Sequence, residues 1–253
     1  MGLLLIVMLL QMLNSTMIDN NNNRPNAPII AFIGCDGAGK SRLSVETAQL
    51  LNTKRKTVHV YLGLGSGDLG RRIEKIPFIG PYIARVSSRK AKKTRTPGTN
   101  IPGLLTALVV FLFSCKRYWA FKRLLKAHHD NIQIVTDRYP QAELAGCCDG
   151  PGLSAGYTNN PVIAWLVDVE KRLYQKMADV HPTVVIFLDV DLQTAISRKP
   201  DHNMNLLATK IEKTRLLRFG GAPMVKIDAC QSYDNVKKQA FSVIEKYTNE
   251  KVS

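Results

Sequence analysis

Cysteines at metal-binding or redox spacing are missing from this 253-residue sequence, which has no C-x-x-C pair and no cluster of histidines and cysteines with zinc-finger spacing. Its five cysteines are an odd set: Cys35, Cys115, Cys147, Cys148 and Cys230. This pattern argues against a structural zinc site and a disulfide framework, and it favours a reducing, cytoplasmic location. The adjacent Cys147 and Cys148 are interpreted as packing or loop residues rather than as a redox pair.

Long hydrophobic runs are also absent. The apolar N-terminal stretch "MGLLLIVMLLQML" is shorter than the ~20 residues that span a bilayer, and it lacks the basic start and the small-residue cleavage site of a secretory signal. Residues 1–23, which end in a run of asparagines, are therefore predicted to form a tail outside the fold. A weak membrane anchor and a true start at Met17 are the alternatives. The apolar run 104–114 continues into the basic "KRYWAFKRLLK", which indicates a buried helix with a cationic second half, so we expect no firm membrane association.

Acidic residues are scarce. Lysine and arginine total 35 against 20 aspartates and glutamates, which gives a formal net charge of +15. Such a charge suits phosphorylated ligands, an anionic surface or a merely solvated basic face. Aromatic residues make up 7% of the chain and no nucleic-acid-binding module is recognisable, so no nucleic-acid partner is expected.

Short β-rich segments alternate with longer segments of helical periodicity from about residue 24 onward. The predicted strands are "APIIAFIG", "TVHVYLG", "IQIVTDRY", "TVVIFLDV" and "APMVKIDA". Helices are predicted after the first strand and over residues 103–130, 161–180, 203–218 and 233–246. This alternation predicts one α/β domain, residues 24–253, with a five-stranded, mainly parallel sheet and helices on both faces, a three-layer α/β/α arrangement.

A phosphate-binding loop is predicted directly after the first strand, where "GCDGAGKS" satisfies G-x-x-x-x-G-K-[ST] and precedes a helix. Glycines in such a loop let backbone N–H groups surround phosphates, and the helix N-terminus adds positive potential. Lys40 is predicted to neutralise the β- and γ-phosphates of ATP, and Ser41 is predicted to bind Mg²⁺. The predicted nucleotide-binding residues are Gly34, Asp36, Gly37, Ala38, Gly39, Lys40, Ser41 and Arg42.

Two other motifs follow predicted strands. "GSGDLG" at 65–70 matches the dinucleotide pattern G-x-G-x-x-G, but prolines and basic residues follow it instead of a helix and an acidic residue. We therefore favour either a flexible glycine loop or a set of backbone N–H groups that binds the phosphate of a second substrate, the acceptor of a phosphoryl group. "DRY" at 137–139 ends the third strand. Asp137 is predicted to hold Mg²⁺ through water, and Arg138 is predicted to bridge donor and acceptor phosphates. An ordinary strand-end ion pair is the alternative.

Four segments, in this order, resemble the thymidylate kinase family of P-loop nucleoside-monophosphate kinases: "GCDGAGKS", "LFSCKRYW", "VTDRY" and "VKIDACQSYDNV". The resemblance implies an ATP- and Mg²⁺-dependent kinase. It implies that Asp36 approaches the acceptor's sugar hydroxyl and that Arg117 contacts the acceptor base. It further implies that Arg138 binds the phosphates and that Tyr139, the next residue, belongs to the acceptor-binding site.

The family places a basic mobile lid after the fourth strand, where this sequence has "SRKPDHN". Residues 198–210 are therefore predicted to form a lid. Because the P-loop carries no arginine of its own, Arg198 is the predicted source of transition-state charge neutralisation, with Lys199 beside it. A solvated cation at a helix end is an equally good account of Arg198.

The acceptor side departs from the family pattern. "YLGLGSGDLGRRIEK" stands where the family has a Thr-Arg-Glu-Pro-like segment, and "PQAELAGCCDGPGLSAG" follows the Asp-Arg-Tyr motif. The basic segment 71–102 is interpreted either as a flap over an anionic acceptor or as a solvated loop.

Three functions remain compatible with the sequence. The leading hypothesis is an ATP-dependent phosphotransferase that converts a nucleoside monophosphate, with dTMP as first candidate, to the diphosphate. The alternatives are a P-loop kinase of a non-nucleotide acceptor, such as a sugar or surface-carbohydrate intermediate, and a nucleotide-binding switch or ATPase. The expected partners are ATP and a small phosphorylated acceptor, and a homodimer is compatible with each hypothesis.

Overall fold

A computed structural model describes residues 27–63 and 103–249, together with residues 98, 100 and 101. The predicted tail (1–23), the "GSGDLG" loop and nearly all of the predicted flap (71–102) lie outside the described residues.

The strands are β1 (Ile29–Gly34), β2 (Thr57–Tyr61), β3 (Gln133–Asp137), β4 (Val184–Asp189) and β5 (Met224–Asp228). The helices are α1 (Lys40–Asn52), α2 (Leu104–His129), α3 (Pro161–Ala178), α4 (Leu192–Arg198), α5 (Met204–Leu216) and α6 (Tyr233–Thr248).

The five strands form one sheet in the order β2-β3-β1-β4-β5, and every neighbouring pair is parallel. The predicted α/β fold with a parallel sheet is therefore confirmed. Because the strands are parallel, their carboxyl ends lie along one edge, which carries Gly34, Asp137, Asp189 and Asp228. Ligands of open parallel sheets bind at this edge.

Side chains along β1 alternate between the two faces of the sheet, as the two-residue period of a strand requires. Ile29, Ala31 and Ile33 pack with the apolar residues of α2 and α3 on one face. Ile30 and Phe32 pack with α1, α5 and α6 on the other face. The sheet is thus the middle of three layers, and β1 at its centre is buried on both sides.

Asparagine side chains cap the N-termini of α3 and α5. The side chain of Asn160 accepts hydrogen bonds from Val162 N and Ile163 N, and Pro161 occupies the first turn of α3. Asn203 caps α5 in the same way. The observed bounds of α2, α3, α5 and α6 agree with the predicted ones within two residues at each end.

Helix α2 is the one described helix that is long and apolar enough to cross a membrane, with a mean hydropathy of 1.4, and half of that apolar window is buried. Its buried side chains include Val110, Phe111 and Phe121, which join the core beside the sheet. Its outward side carries Leu105, Leu112 and Trp119, each about half exposed.

Candidate functional site

The loop between β1 and α1, residues 34–41, folds as the phosphate-binding motif requires. Gly34 has φ of 145°, and a Cβ placed on it would lie 2.5 Å from the backbone oxygen of Leu188 on β4. Gly37 has φ of 90°, and a Cβ placed on it would lie 3.1 Å from the backbone oxygen of Ala195 on α4, a tighter contact than is usual. These two positions therefore require glycine, because a side chain would meet both an unfavourable backbone conformation and a neighbouring chain segment.

Lys40 opens helix α1 and is buried, with 5% of its surface exposed. Its ammonium donates a hydrogen bond to the backbone oxygen of Cys35 at 2.5 Å, so the side chain curls back over the loop. Burial, reinforced by the nearby positive charge of Arg138, lowers the pKa of Lys40. An anion placed in the loop would supply the negative charge that this buried ammonium lacks.

Ser41 and Asp137 form the part of the site suited to a divalent cation. The hydroxyl of Ser41 donates to Asp137 Oδ2 at 2.5 Å. The other carboxylate oxygen, Asp137 Oδ1, is buried and has no hydrogen-bond partner among the described residues. Oxygen atoms of this kind are the ligands that Mg²⁺ prefers. No group of three or more His, Cys, Asp or Glu side chains in the described part of the chain is arranged to hold a metal, so Mg²⁺ here would also need phosphate oxygens and water.

Arg138 links the end of β3 to the P-loop. Its backbone has φ of 74°, a conformation rare for a residue with a side chain. Its guanidinium donates to Asp36 Oδ1 at 3.0 Å, while Lys210 on α5 donates to Asp36 Oδ2 at 2.6 Å. Burial alone would raise the pKa of Asp36, but Lys210 and Arg138 outweigh burial and hold this pKa well below its usual range.

A second carboxylate, Asp149, occupies the other side of Arg138. Its Oδ2 accepts from Arg138 at 3.3 Å and its Oδ1 accepts from Arg117 at 2.7 Å. Arg117 also donates to the backbone oxygen of Asp149 at 2.6 Å and to the hydroxyl of Tyr174 at 2.9 Å. The guanidinium of Arg117 is enclosed, because only 2% of the residue is exposed.

These contacts form a row of alternating charges, which we call the charge row and which runs through Lys210, Asp36, Arg138, Asp149 and Arg117. The attraction of Asp149 raises the pKa of Arg138, so this arginine stays charged. The charge row joins α5, the P-loop, the end of β3 and α2 across the carboxyl edge of the sheet. It therefore holds a cation, Arg138, beside the phosphate-binding loop.

A cavity of about 240 Å³ adjoins the P-loop and is lined by Gly37, Gly39, Arg42, Arg198, Ala229, Gln231, Tyr233 and Val236. The guanidinium of Arg42 lies 3.7 Å from the centre of the Tyr233 ring and donates to Glu46 at 2.9 Å. Arg198 donates to the backbone oxygens of Gly37 and Ala229, at 3.2 and 3.0 Å. The cavity thus has a flat aromatic and guanidinium wall next to the glycine loop, which suits a planar base.

Most of the predicted site residues meet at this edge. The P-loop, Ser41, Asp137 and Arg138 come together, and Arg198 approaches the P-loop from the end of α4. Residues 198–210, the predicted lid, comprise the end of α4, a short turn and the first half of α5.

Two predicted acceptor residues have other neighbours in this structure. Tyr139 is 2% exposed, its hydroxyl donates to the backbone oxygen of Val180, and its ring packs against Phe121 and Phe219. The guanidinium of Arg117 faces Asp149 and Tyr174. Their predicted contacts with an acceptor stay predictions. The Nε of Arg117 is buried and has no hydrogen-bond partner among the described residues.

Sequence reasoning missed the roles of Asp149 and Lys210. Asp149 lies within the "DGPGL" segment that departs from the family pattern, so the departure itself was the available signal. Lys210 is one of several cations on α5, and nothing in the sequence distinguishes it from Lys213. Its pairing with Asp36 joins residues 174 positions apart.

Comparison with known proteins places these residues in a family. No protein-family model matches the chain, so the resemblance to thymidylate kinases stays a prediction. The "Uncharacterized ATP-binding protein YghR" of Escherichia coli, in strain K12 and in strain O6:H1, is 36% identical over 231 residues, 91% of each chain. The "Uncharacterized ATP-binding protein YghS" of strain K12 is 38% identical over 217 residues, 85% of this chain and 92% of its own length. The chain therefore belongs to the same family as these two Escherichia coli ATP-binding proteins.

Proposed function

We propose that this protein is an ATP- and Mg²⁺-dependent phosphotransferase that acts on a small phosphorylated acceptor, with a nucleoside monophosphate, and dTMP first, as the acceptor to test. The observation that carries the proposal is the position of Arg138. Its guanidinium lies beside the P-loop, bonded to Asp36 of that loop, and is held from the far side by Asp149. A cation in this position can contact both a donor and an acceptor phosphate with its planar fork of donors.

The donor is proposed to be ATP. The relatives YghR and YghS are named as ATP-binding proteins. The loop of this chain has the glycine conformations and the buried lysine that a triphosphate requires. The cavity beside Tyr233 lies next to Gly37 and Gly39, where a base attached to those phosphates would fit.

Ser41 and Asp137 are the residues proposed to hold Mg²⁺. The unpartnered Asp137 Oδ1 supports this assignment, because a buried carboxylate oxygen without a donor is costly unless a cation or water satisfies it. Bound there, Mg²⁺ would supply charge neutralisation for the phosphate oxygens.

The remaining chemistry is positioning and charge neutralisation by this chain's own residues. An acceptor phosphate is already ionised at neutral pH, so its oxygen can attack the γ-phosphorus without a strong general base. Lys40 and Arg138 would hold the γ-phosphoryl group from two sides. Arg198 is proposed to bind ATP from the lid region, next to Gly37, with transition-state charge neutralisation as its alternative role. Asp36 is proposed to orient a hydroxyl of the acceptor, although both its oxygens now accept from Arg138 and Lys210.

One observation favours a second candidate, a kinase of a non-nucleotide acceptor such as a sugar. Asp149 belongs to the segment that departs from the nucleotide kinase pattern. Its carboxylate accepts hydrogen bonds from the guanidinium groups of both Arg117 and Arg138. These are the two arginines that the resemblance assigns to the acceptor base and to the phosphates. A carboxylate between them narrows the space for a base and provides an acceptor for substrate hydroxyl groups.

An ADP-release assay with the full chain tests both candidates. The acceptor panel contains nucleoside monophosphates, free sugars and sugar phosphates, with a no-acceptor reaction, and products are identified by mass spectrometry. Nucleotide-dependent turnover supports the first candidate, and sugar-dependent turnover supports the second. ADP release of equal rate without any acceptor contradicts both and supports a switch or ATPase.

The assay needs a control for contaminating kinases. Arg138→Ala, purified identically, is expected to lower kcat by about 10²-fold or more because it removes a charge that contacts the transferred group. Arg172→Ala, which changes an exposed arginine of α3, is the matched control and is expected to leave kcat unchanged. Equal turnover by Arg138→Ala and the unmodified protein would contradict the role of Arg138.

A further inference from the structure

Two cysteine thiols lie next to the charge row. The Sγ atoms of Cys147 and Cys148 are 2.8 Å apart, closer than the usual contact of two thiols, and both residues are half-buried. Asp149, which pairs with Arg117 and Arg138, is the next residue. A chemical change at the thiols therefore acts one peptide bond away from Asp149, a member of the charge row.

We propose that Cys147 and Cys148 are a redox modification site, at which closure of a reversible disulfide between the two side chains withdraws Asp149 from Arg117 and Arg138. This proposal differs from the interpretation from sequence, in which the two cysteines are packing or loop residues rather than a redox pair. The disulfide is independent of the proposed function, whereas its effect on turnover rests on that function.

The backbone around the thiols explains why closure moves Asp149. Cys148 and Asp149 have φ of 52° and 66°, a left-handed conformation that side chains other than glycine adopt rarely. The buried amide of Gln141 holds this turn by donating to the backbone oxygens of Cys147 and Cys148, at 3.0 and 3.3 Å. A disulfide needs the two sulfurs about 2.0 Å apart with a rotated Cβ–S–S–Cβ torsion. Reaching it rotates the peptide between the two cysteines, which works against the Gln141 bonds and changes the direction of Asp149.

The thiols also contact the other end of the charge row. Cys148 Sγ lies 3.3 Å from the hydroxyl of Thr214 and 3.8 Å from the backbone oxygen of Lys210, both on α5. Lys210 on that helix pairs with Asp36 of the P-loop. Loss of the Cys148 contacts on closure would therefore loosen the packing of α5 against the turn as well.

The reaction partner is a small-molecule disulfide. The Cys147 thiolate attacks one sulfur of that disulfide, forming a mixed disulfide and releasing one small thiolate. Cys148 then attacks Cys147 Sγ and releases the second small thiolate. In total, two cysteine thiols lose two electrons and two protons, and the small disulfide gains them to become two thiols.

The environment favours Cys147 as the attacking group. The hydrogen bond from Cys148, together with the charges of Lys213 and Lys210, lowers the pKa of Cys147 to about 7. The same bond and burial raise the pKa of Cys148, so this cysteine acts second. Consecutive Cα atoms lie about 3.8 Å apart, which is shorter than the usual spacing across a disulfide. The resulting strain makes the bond easy to reduce, which is the property a reversible switch requires.

The first test maps the thiols. The full chain is incubated with oxidised glutathione, quenched with acid and alkylated, and the peptide that contains Cys147 and Cys148 is analysed by mass spectrometry. The expected result is loss of two hydrogens and of both alkylation sites, reversed by dithiothreitol. Two alkylated cysteines, or a glutathione adduct that persists at one cysteine, would overturn the proposal.

The second test asks whether closure releases Asp149. Oxidation is expected to lower the Tm of the unmodified protein and to have a much smaller effect on Asp149→Asn, because the contact is already weakened there. Cys147→Ser, which cannot close the ring, is expected to keep its Tm in the oxidant. Equal Tm losses in all three proteins would show that oxidation acts elsewhere and would overturn the link to Asp149.

The third test uses turnover. Oxidation is expected to lower kcat about tenfold or more through misplacement of Arg138, with recovery on reduction and no change in Cys147→Ser. Unchanged kcat in a protein shown to carry the disulfide would overturn the switch. If no acceptor supports turnover in the reduced protein, the proposed function fails, and the thiol mapping and the Tm comparison still decide the modification site.

Discussion

The hydroxyl of Ser41 and the carboxylate of Asp137 are joined by a hydrogen bond of 2.5 Å, which ties the first turn of α1 to the end of β3. The two residues are 96 positions apart in the chain, and the parallel pairing of β1 with β3 brings them together. Ser41 belongs to the phosphate-binding loop, and Asp137 is bonded to it, so loss of a single oxygen from this pair should affect a cation bound with the phosphates.

Ser41→Ala and Asp137→Asn are therefore expected to raise the Mg²⁺ concentration that gives half-maximal turnover, by about 10- to 100-fold. The measurement is a Mg²⁺ titration at saturating ATP. Ser242→Ala, a change at an exposed serine of α6, is the control and should leave the titration unchanged. A lower kcat with the same Mg²⁺ dependence in both variants would contradict the metal assignment.

Lys40→Met is expected to lower kcat by about 10²- to 10³-fold while the protein stays folded. Methionine keeps the apolar stem in the buried site but removes the ammonium that bonds the backbone oxygen of Cys35. Steady-state kinetics and circular dichroism are the measurements, with Lys171→Ala on the exposed side of α3 as the control. Near-normal turnover of the folded Lys40 variant would contradict the phosphate site.

Asp149→Asn is expected to destabilise the protein by about 3 kcal/mol, because it leaves the buried guanidinium of Arg117 without its carboxylate partner. Urea denaturation measures this loss, and Asp168→Asn on the exposed side of α3 is the control. If the two variants were equally stable, the charge row would have no structural role.

The lowered pKa of Asp36 predicts a pH-dependent contribution to stability. The carboxylate is stabilised in the folded state by Lys210 and Arg138, so its contribution is present above its ordinary pKa of 3.8 and is lost as the pH falls below that value. The difference in free energy of unfolding between the unmodified protein and Asp36→Asn should accordingly shrink as the pH is lowered from 6 to about 3. Gln193→Ala, a change at an exposed and uncharged residue of α4, is the control and should show no such trend. A constant difference across this range would contradict the ion pairs of Asp36.

Arg198→Ala distinguishes two roles for that arginine. Its guanidinium bonds the backbone of the P-loop and lines the cavity beside Tyr233, so the structure favours a rise in KM for ATP of about tenfold with a small change in kcat. A large fall in kcat at unchanged KM would instead support the transition-state role expected from the resemblance. Initial rates over a range of ATP concentrations separate the two outcomes.

Much of the fold could be predicted because local patterns determine it. The β-rich strand segments and the Asn-Pro start of α3 can be recognised from neighbouring residues alone. The P-loop motif predicts both the conformation of the loop and its position at a strand end. The contacts of Asp149 could not be predicted in this way, since they depend on left-handed backbone at Cys148 and Asp149 and on an arginine 32 positions earlier. Local propensity carries no information about such a pairing.

Tyr139 shows a second reason. The motif places it directly after Arg138, whose left-handed backbone, with φ of 74°, turns the chain just beyond the end of β3. In the structure Arg138 turns to the P-loop, and Tyr139 packs between Phe121 and Phe219. The motif does not reveal the left-handed residue, so the different directions of the two side chains could not be predicted from it.

The charge row also predicts how the proposed anionic acceptor would approach the site. It contains three cations and two carboxylates, and its outer end is Lys210, whose side chain is 46% exposed. An anionic acceptor diffusing toward the site meets this unbalanced positive charge before any direct contact forms. Attraction at that range accelerates encounter and is screened by salt. The association rate constant of a phosphorylated acceptor should therefore fall as ionic strength rises.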